Sequence, residues 1–140
     1  MKHFIKVLSI ICFIGITSCK KNGTTLIYGA KDSSWVYVDS CKTFGINTTS
    51  FIICFDSLLN ESRCPIGAMC PWEGYALARF KVTQGNQQYF IKLATINVSP
   101  YKNDTTINAV KFRLDSLLPY PTINIPHPYS AYKAKIVITQ

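Results

Sequence analysis

The stretch "YALARFKVTQGNQQYFIKLA", residues 75–94, decides the fold. Side chains on a strand point to opposite faces in turn, so Ala76, Ala78, Phe80 and Val82 share an apolar face while Arg79 and Lys81 share a charged one. The Gly-Asn pair inside "TQGNQQ", residues 83–88, favours a tight turn, after which residues 88–94 resume an extended apolar run. The stretch therefore reads as a β-hairpin, strands 75–83 and 88–94, buried on one side and wet on the other.

The same division recurs downstream. Val110, Phe112 and Leu114 oppose Lys111 and Arg113, and Tyr132, Ala134, Ile136 and Ile138 oppose Lys133 and Lys135. Further strands are expected at residues 35–38, 51–56, 109–114 and 131–139, with another near 26–28. No segment sustains a 3.6-residue period, and the apolar runs are separated by Asn, Asp, Gly and Pro clusters. The expected class is all-β: a single-domain antiparallel β-sandwich, immunoglobulin-like or related, over residues 26–140. "DSLL" occurs at residues 56–59 and again at 115–118; four residues are too few for a structural repeat, and the recurrence reads as coincidence. "LPYPTINIPHPY", residues 118–129, has four prolines, which remove backbone donors and favour an extended loop across an end or edge of the sheets.

The chain opens "MKHFIKVLSIICFIGITSC", with lysines ahead of a short apolar run and small polar residues before Cys19. That order is a secretory leader, residues 1–18, and the run is too short to favour a membrane-spanning helix. Ile16-Thr17-Ser18-Cys19 resembles the bacterial lipobox, in which the cysteine is acylated and becomes the mature N-terminus. The resemblance implies a lipid on Cys19, where two or more acyl chains hold a protein stably on a bilayer. Residues 19–25, ending in the polar "KKNGTT", read as the lipidated cysteine and a flexible tether. Lys20-Lys21 lacks the acidic tract of some surface-exported lipoproteins, which favours a periplasm-facing membrane over the cell surface.

The whole chain carries a formal net charge of +8, and loss of Lys2 and Lys6 with the leader leaves about +6. This sign suits anionic neighbours. Envelope proteins and anionic polymers are the partners considered, and cations on the outward strand faces could form one basic plate. Alternation alone also puts lysine in water, where it discourages edge-to-edge aggregation. No basic run is dense enough for nucleic acid.

Four cysteines remain in the exported domain, Cys41, Cys54, Cys64 and Cys70, in a compartment that permits disulfides. Four thiols admit three pairings, and sequence alone does not choose among them. Cys64 and Cys70 enclose "PIGAM", too long a spacing for a redox Cys-x-x-Cys or a zinc knuckle, and the exported domain has one histidine; a small disulfide ring is the remaining reading, with no metal and no cofactor. Pro65 and Pro71 restrict that ring, and Gly67 can adopt positive φ at its apex.

"SRCPIGAMCPWEGYA", residues 62–76, resembles the Arg-Cys-Pro, four residues, Cys-x-Trp-x-Gly-x-Ala pattern of small, uncharacterised bacterial lipoproteins. "LDSLLPYP" and the later "YSAYKAKIVIT" resemble the closing part of the same proteins, where a Pro-Tyr-Pro loop leads into a last strand. The likeness departs at Glu73, where a small residue is expected. It implies secretion, β structure and a Cys64–Cys70 disulfide, and it implies no activity. Elimination then pairs Cys41 with Cys54, which alternates away from Ile53 and Phe55 and so can reach a neighbouring strand on the outer face.

Trp72 is expected to cover the Cys64–Cys70 bond and close one end of the core; the competing reading is an exposed ring that meets a partner. Ala68, Met69 and Trp72 form the candidate contact loop. Presented to a protease, Ala68 or Met69 would fill a specificity pocket, and an inhibitor is the alternative to a general binding or structural module. Nothing favours an enzyme. His127 sits between Pro126 and Pro128 as a bystander, the carboxylates are scattered, apart from a possible pairing of Glu61 or Glu73 with Arg63, and no nucleophile elbow, phosphate loop or dinucleotide fingerprint occurs.

Overall fold

The computed structural model describes residues 29–140. The leader, Cys19, the tether and the strand expected at 26–28 lie outside the described residues. Eight strands follow in order: β1 (Lys31–Tyr37), β2 (Cys41–Ile46), β3 (Thr49–Glu61), β4 (Ala76–Gln84), β5 (Gln87–Ala94), β6 (Asp104–Ile107), β7 (Val110–Leu118) and β8 (Lys133–Thr139). They form two four-stranded antiparallel sheets, ordered β1-β8-β7-β6 and β2-β3-β4-β5. The β4–β5 hairpin turns on Gly85 and Asn86 with Thr83 opposite Gln88, and Gly85 takes φ +55°.

The inward faces are those the alternation predicts. Phe51, Phe55, Phe80 and Val82 meet Val36, Phe112, Leu114 and Ile136 in one buried cluster, and the Phe51 and Phe112 rings pack edge-on at 5.2 Å across the sheets. Burying a large apolar side chain stabilises by about 1.5–3 kcal/mol, so this layer is the principal source of cohesion. Neighbours in sequence are neighbours in each sheet, with β8 pairing back to β1. This is an up-and-down arrangement split over two sheets, without the Greek-key connections of an immunoglobulin-like sandwich.

Strand number and several boundaries differ from expectation, and β1 starts at Lys31, four residues before the expected start at 35. β2 and β6 are additional strands: "DTTI" in β6 is polar and short, and β2 contains Gly45, so both owe their conformation to pairing with β7 and β3. β3 and β7 run on to Glu61 and Leu118, beyond the expected ends at 56 and 114. In both cases the alternation is broken at a β-bulge, between Phe55 and Ser57 in β3 and between Leu114 and Ser116 in β7.

The residue skipped at these two bulges is the aspartate of a "DSLL"; β3 shifts register once more at Leu59. Arg79 Nε donates to Asp56 Oδ2 at 2.5 Å, and Arg113 Nη2 donates to Asp115 Oδ1 at 2.9 Å. The Arg79 guanidinium beside Asp56 holds its carboxyl below the usual range. The tetrapeptide thus serves the same local purpose in each sheet, an unpaired bulge residue whose carboxylate reaches a nearby arginine.

The two ends of the sandwich differ. At one end Asn47 N–H donates to Gly29 O, Gln140 N–H to Ala30 O and Asn108 Nδ2 to Gln84 Oε1, which gathers the β2–β3, β4–β5 and β6–β7 turns beside the point where the chain enters. The other end holds the long β3–β4 and β7–β8 connections, which carry the cysteine ring and the prolines.

Candidate functional site

The β3–β4 connection begins as a continuation of the hairpin. Beyond the Glu61–Ala76 rung, Ser62 N–H donates to Tyr75 O at 3.0 Å and Cys64 N–H to Glu73 O at 2.9 Å. The ring is then closed by a Cys64–Cys70 disulfide, and the second disulfide joins Cys41 to Cys54, which face each other across β2 and β3. Inside the ring Ala68 N–H donates to Pro65 O at 3.0 Å, a turn whose third residue, Gly67, has φ +89° as a type II turn requires.

Gly74 closes the loop's other side. It takes φ +70°, and a Cβ there would lie 1.8 Å from Ser62 O, so glycine alone fits. The glycine of the Cys-x-Trp-x-Gly pattern therefore has a local steric cause.

Arg63 joins this loop to the proline loop. It is 6% exposed, the one buried polar or charged residue among the described residues. Its guanidinium makes a two-pronged contact with Glu61, Nη1 donates to Leu117 O at 2.8 Å and Nη2 to Pro119 O at 2.9 Å. The Tyr120 ring lies 4.6 Å from the guanidinium carbon. Ile66 N–H donates to Pro121 O and Ile123 N–H to Ile66 O, which adds a short backbone ladder between the loops. Between them lies a cleft of about 210 Å³, lined by Arg63, Glu73, Gly74, Leu117 and Tyr120 among others. The arginine was legible as a partner for Glu61 or Glu73; that it clasps the second loop was not, because its acceptors are main-chain carbonyls more than fifty residues away.

Trp72 corrects the sequence reading. Its ring is 72% exposed and does not close the core. Backbone bonds and Arg63 already bind the loops together, and Leu117 and Tyr132 belong to the buried cluster near that end. Met69 is fully exposed and Ala68 half-buried. Burial raises the Tyr132 hydroxyl above its usual range, with the Glu61 carboxylate adding to the shift and Arg63 opposing it.

Exposed apolar residues concentrate here. Eleven large hydrophobic residues are exposed among the described residues, and seven belong to these two loops: Ile66, Met69, Trp72, Tyr120, Ile123, Ile125 and Tyr129. Scattered exposed apolar residues are ordinary, whereas these seven lie in two loops that meet at one end of the sandwich.

The cations do not form one plate. Lys31, Lys111, Arg113, Lys133 and Lys135 lie on the outer face of the β1-β8-β7-β6 sheet, and Arg79, Lys81 and Lys92 on the opposite outer face. Asp104, Asp115 and Asp56 pair with several of them. Trp35 lies under Lys133, whose Nζ is 5.2 Å from the ring centre. His127 is half-buried in the proline loop, its Nε2 shielded and without a hydrogen-bond partner among the described residues. No group of three metal-ligating side chains occurs among the described residues, and no helix there is long and apolar enough to cross a membrane. No family model, curated protein or solved structure matches the chain.

Proposed function

We propose that this protein is a lipid-anchored lipoprotein of the bacterial cell envelope, acylated on Cys19 after removal of residues 1–18, and that it acts by binding and not by catalysis. The lipobox-like Ile16-Thr17-Ser18-Cys19 and the likeness to small bacterial lipoproteins support the anchor. The observation that carries the binding reading is the exposure of Met69 and Trp72 on a loop braced by a disulfide, Gly74 and Arg63. A braced loop loses little conformational entropy on contact, which favours recognition. Mass spectrometry of the membrane-extracted protein should find Cys19 as an acylated N-terminus, and Cys19→Ala should release the domain from the membrane. An intact leader or an unmodified soluble product would refute the anchor.

One observation favours a second reading. Fully exposed Met69 adjoins disulfide-bonded Cys70, the kind of stiff, protruding segment that an inhibitor offers to a protease. Inhibition across a panel of serine and cysteine proteases, altered sharply by Met69→Ala at constant thermal stability, would establish it. No inhibition leaves the binding module.

A further inference from the structure

The two-loop end lies opposite the end at which the chain enters, and this bears on what can occupy it. Gly29, the first described residue, is hydrogen-bonded at the Asn47 turn. From that turn β3 runs thirteen residues to Glu61, about 40 Å at the rise of a strand, and the apolar loops lie beyond it. The ten residues from Cys19 to Tyr28 can span no more than about 36 Å. With its entry end toward the bilayer that anchors it, the domain holds its loops away from that bilayer.

Three occupants can be compared on this geometry. The anchoring bilayer is on the far side of the domain from the loops, and the loop surface lacks the cations that draw a protein to anionic headgroups: residues 64–74 and 119–131 contain no lysine or arginine. The same lack disfavours an anionic polymer. A second copy anchored in the same bilayer would point its loops the same way, so a two-fold, loop-to-loop contact would require it to turn over. A protein standing beyond that bilayer meets neither obstacle. Exposed Trp, Met and Tyr on a braced surface without lysine or arginine are the residue types that fill the centres of protein interfaces.

We infer that the combined cysteine and proline loops form a docking surface for another protein, one that presents an apolar, uncharged groove and faces the anchored domain from the side away from its membrane. The inference rests on the anchored binding-module reading. It extends the contact surface from residues 68–72 to the proline loop, with Ile66, Met69, Trp72 and Ile125 as the exposed contacts.

The test uses the acylated full-length protein in its own cells, with a photoreactive amino acid placed at Met69, at Ile125, at Phe90 on the outer sheet face, or at Lys111 near the entry end. The expected result is one protein adduct shared by positions 69 and 125 and absent from 90 and 111. Mass spectrometry should place the crosslink in an apolar, uncharged segment of the partner. Adding Trp72→Asp should lower the adduct yield about tenfold or more while the thermal midpoint stays near that of the parent. An adduct of twice the chain mass, a phospholipid adduct, the same adducts from Phe90, a yield indifferent to Trp72→Asp, or no adduct would each overturn the inference. The acylation state of Cys19, read in the same samples, separates the two claims: an unacylated soluble protein refutes the anchor, whereas the adduct pattern decides the docking surface.

Discussion

The two ends of this sandwich solve the same problem, joining antiparallel strands, at very different length. At the entry end, turns of two residues suffice, with positive φ at Asn47, Gly85 and Asn108 and exposed amide-to-amide hydrogen bonds between elements. At the loop end, two connections of fourteen residues together hold a disulfide, the ion pair of buried Arg63 with Glu61 and most of the exposed apolar side chains. Closing the sheets does not require the second arrangement, as the first demonstrates within the same molecule. The additional contacts tie together the two loops that carry most of the exposed apolar side chains.

That contrast can be broken most directly at Arg63. Arg63→Ala leaves the Glu61 carboxylate and the Leu117 and Pro119 carbonyls without their shared donor in a shielded site, with an expected loss of about 3–5 kcal/mol in denaturant unfolding. Asn108→Ala, at the entry end, should cost less than about 1 kcal/mol.

Two glycines at positive φ give the next comparison. Gly74→Ala would drive a Cβ into Ser62 O and should destabilise by about 2–4 kcal/mol, whereas Gly85→Ala meets no atom within 4 Å and should cost about 1 kcal/mol. Equal losses at the two positions would show that the loop relaxes freely and is not braced.

Replacing Cys64 and Cys70 together with serine should cost on the order of 2 kcal/mol, the chain-entropy value for so short a ring. Trp72→Ala, in contrast, should change stability by less than about 0.5 kcal/mol, because its ring is largely in water. A loss of several kcal/mol there would mean that the indole packs against the ring after all.

The smallest effect concerns pH. The Tyr132 hydroxyl titrates higher in the folded state than in the unfolded chain, so its contribution is fully present below the unfolded value of about 10 and is lost as pH rises through the higher folded value. Tyr132→Phe should therefore flatten the alkaline limb of a stability-against-pH curve and leave the neutral region nearly unchanged.

Much of the sheet structure was legible because alternation is a local signal. Phe80, Phe112 and Ile136 point inward, as their spacing requires, and Gly85 marks its own turn. Strand ends were less legible because a bulge changes which face each side chain takes without changing composition, as at Asp56 and Asp115. β6 was hidden because a polar edge strand is defined by its neighbour, not by its own residues.

The candidate site divides in the same way. Cysteine spacing and the prolines marked a stiff loop, and Gly67 its apex, because ring size and backbone restriction depend only on nearby residues. Whether Trp72 faced the core or solvent was a competition for the space beneath the loop, settled by Arg63, Leu117 and Tyr120.

Sequence by itself determined the β class, the inward faces and the rigidity of the cysteine loop, since each follows from residues a few positions apart. Only the tertiary structure decided that the cysteine and proline loops meet, and that their apolar residues gather at the end opposite the chain's entry. Those are contacts across more than fifty residues, made where two sheets register against each other, and no local pattern encodes them.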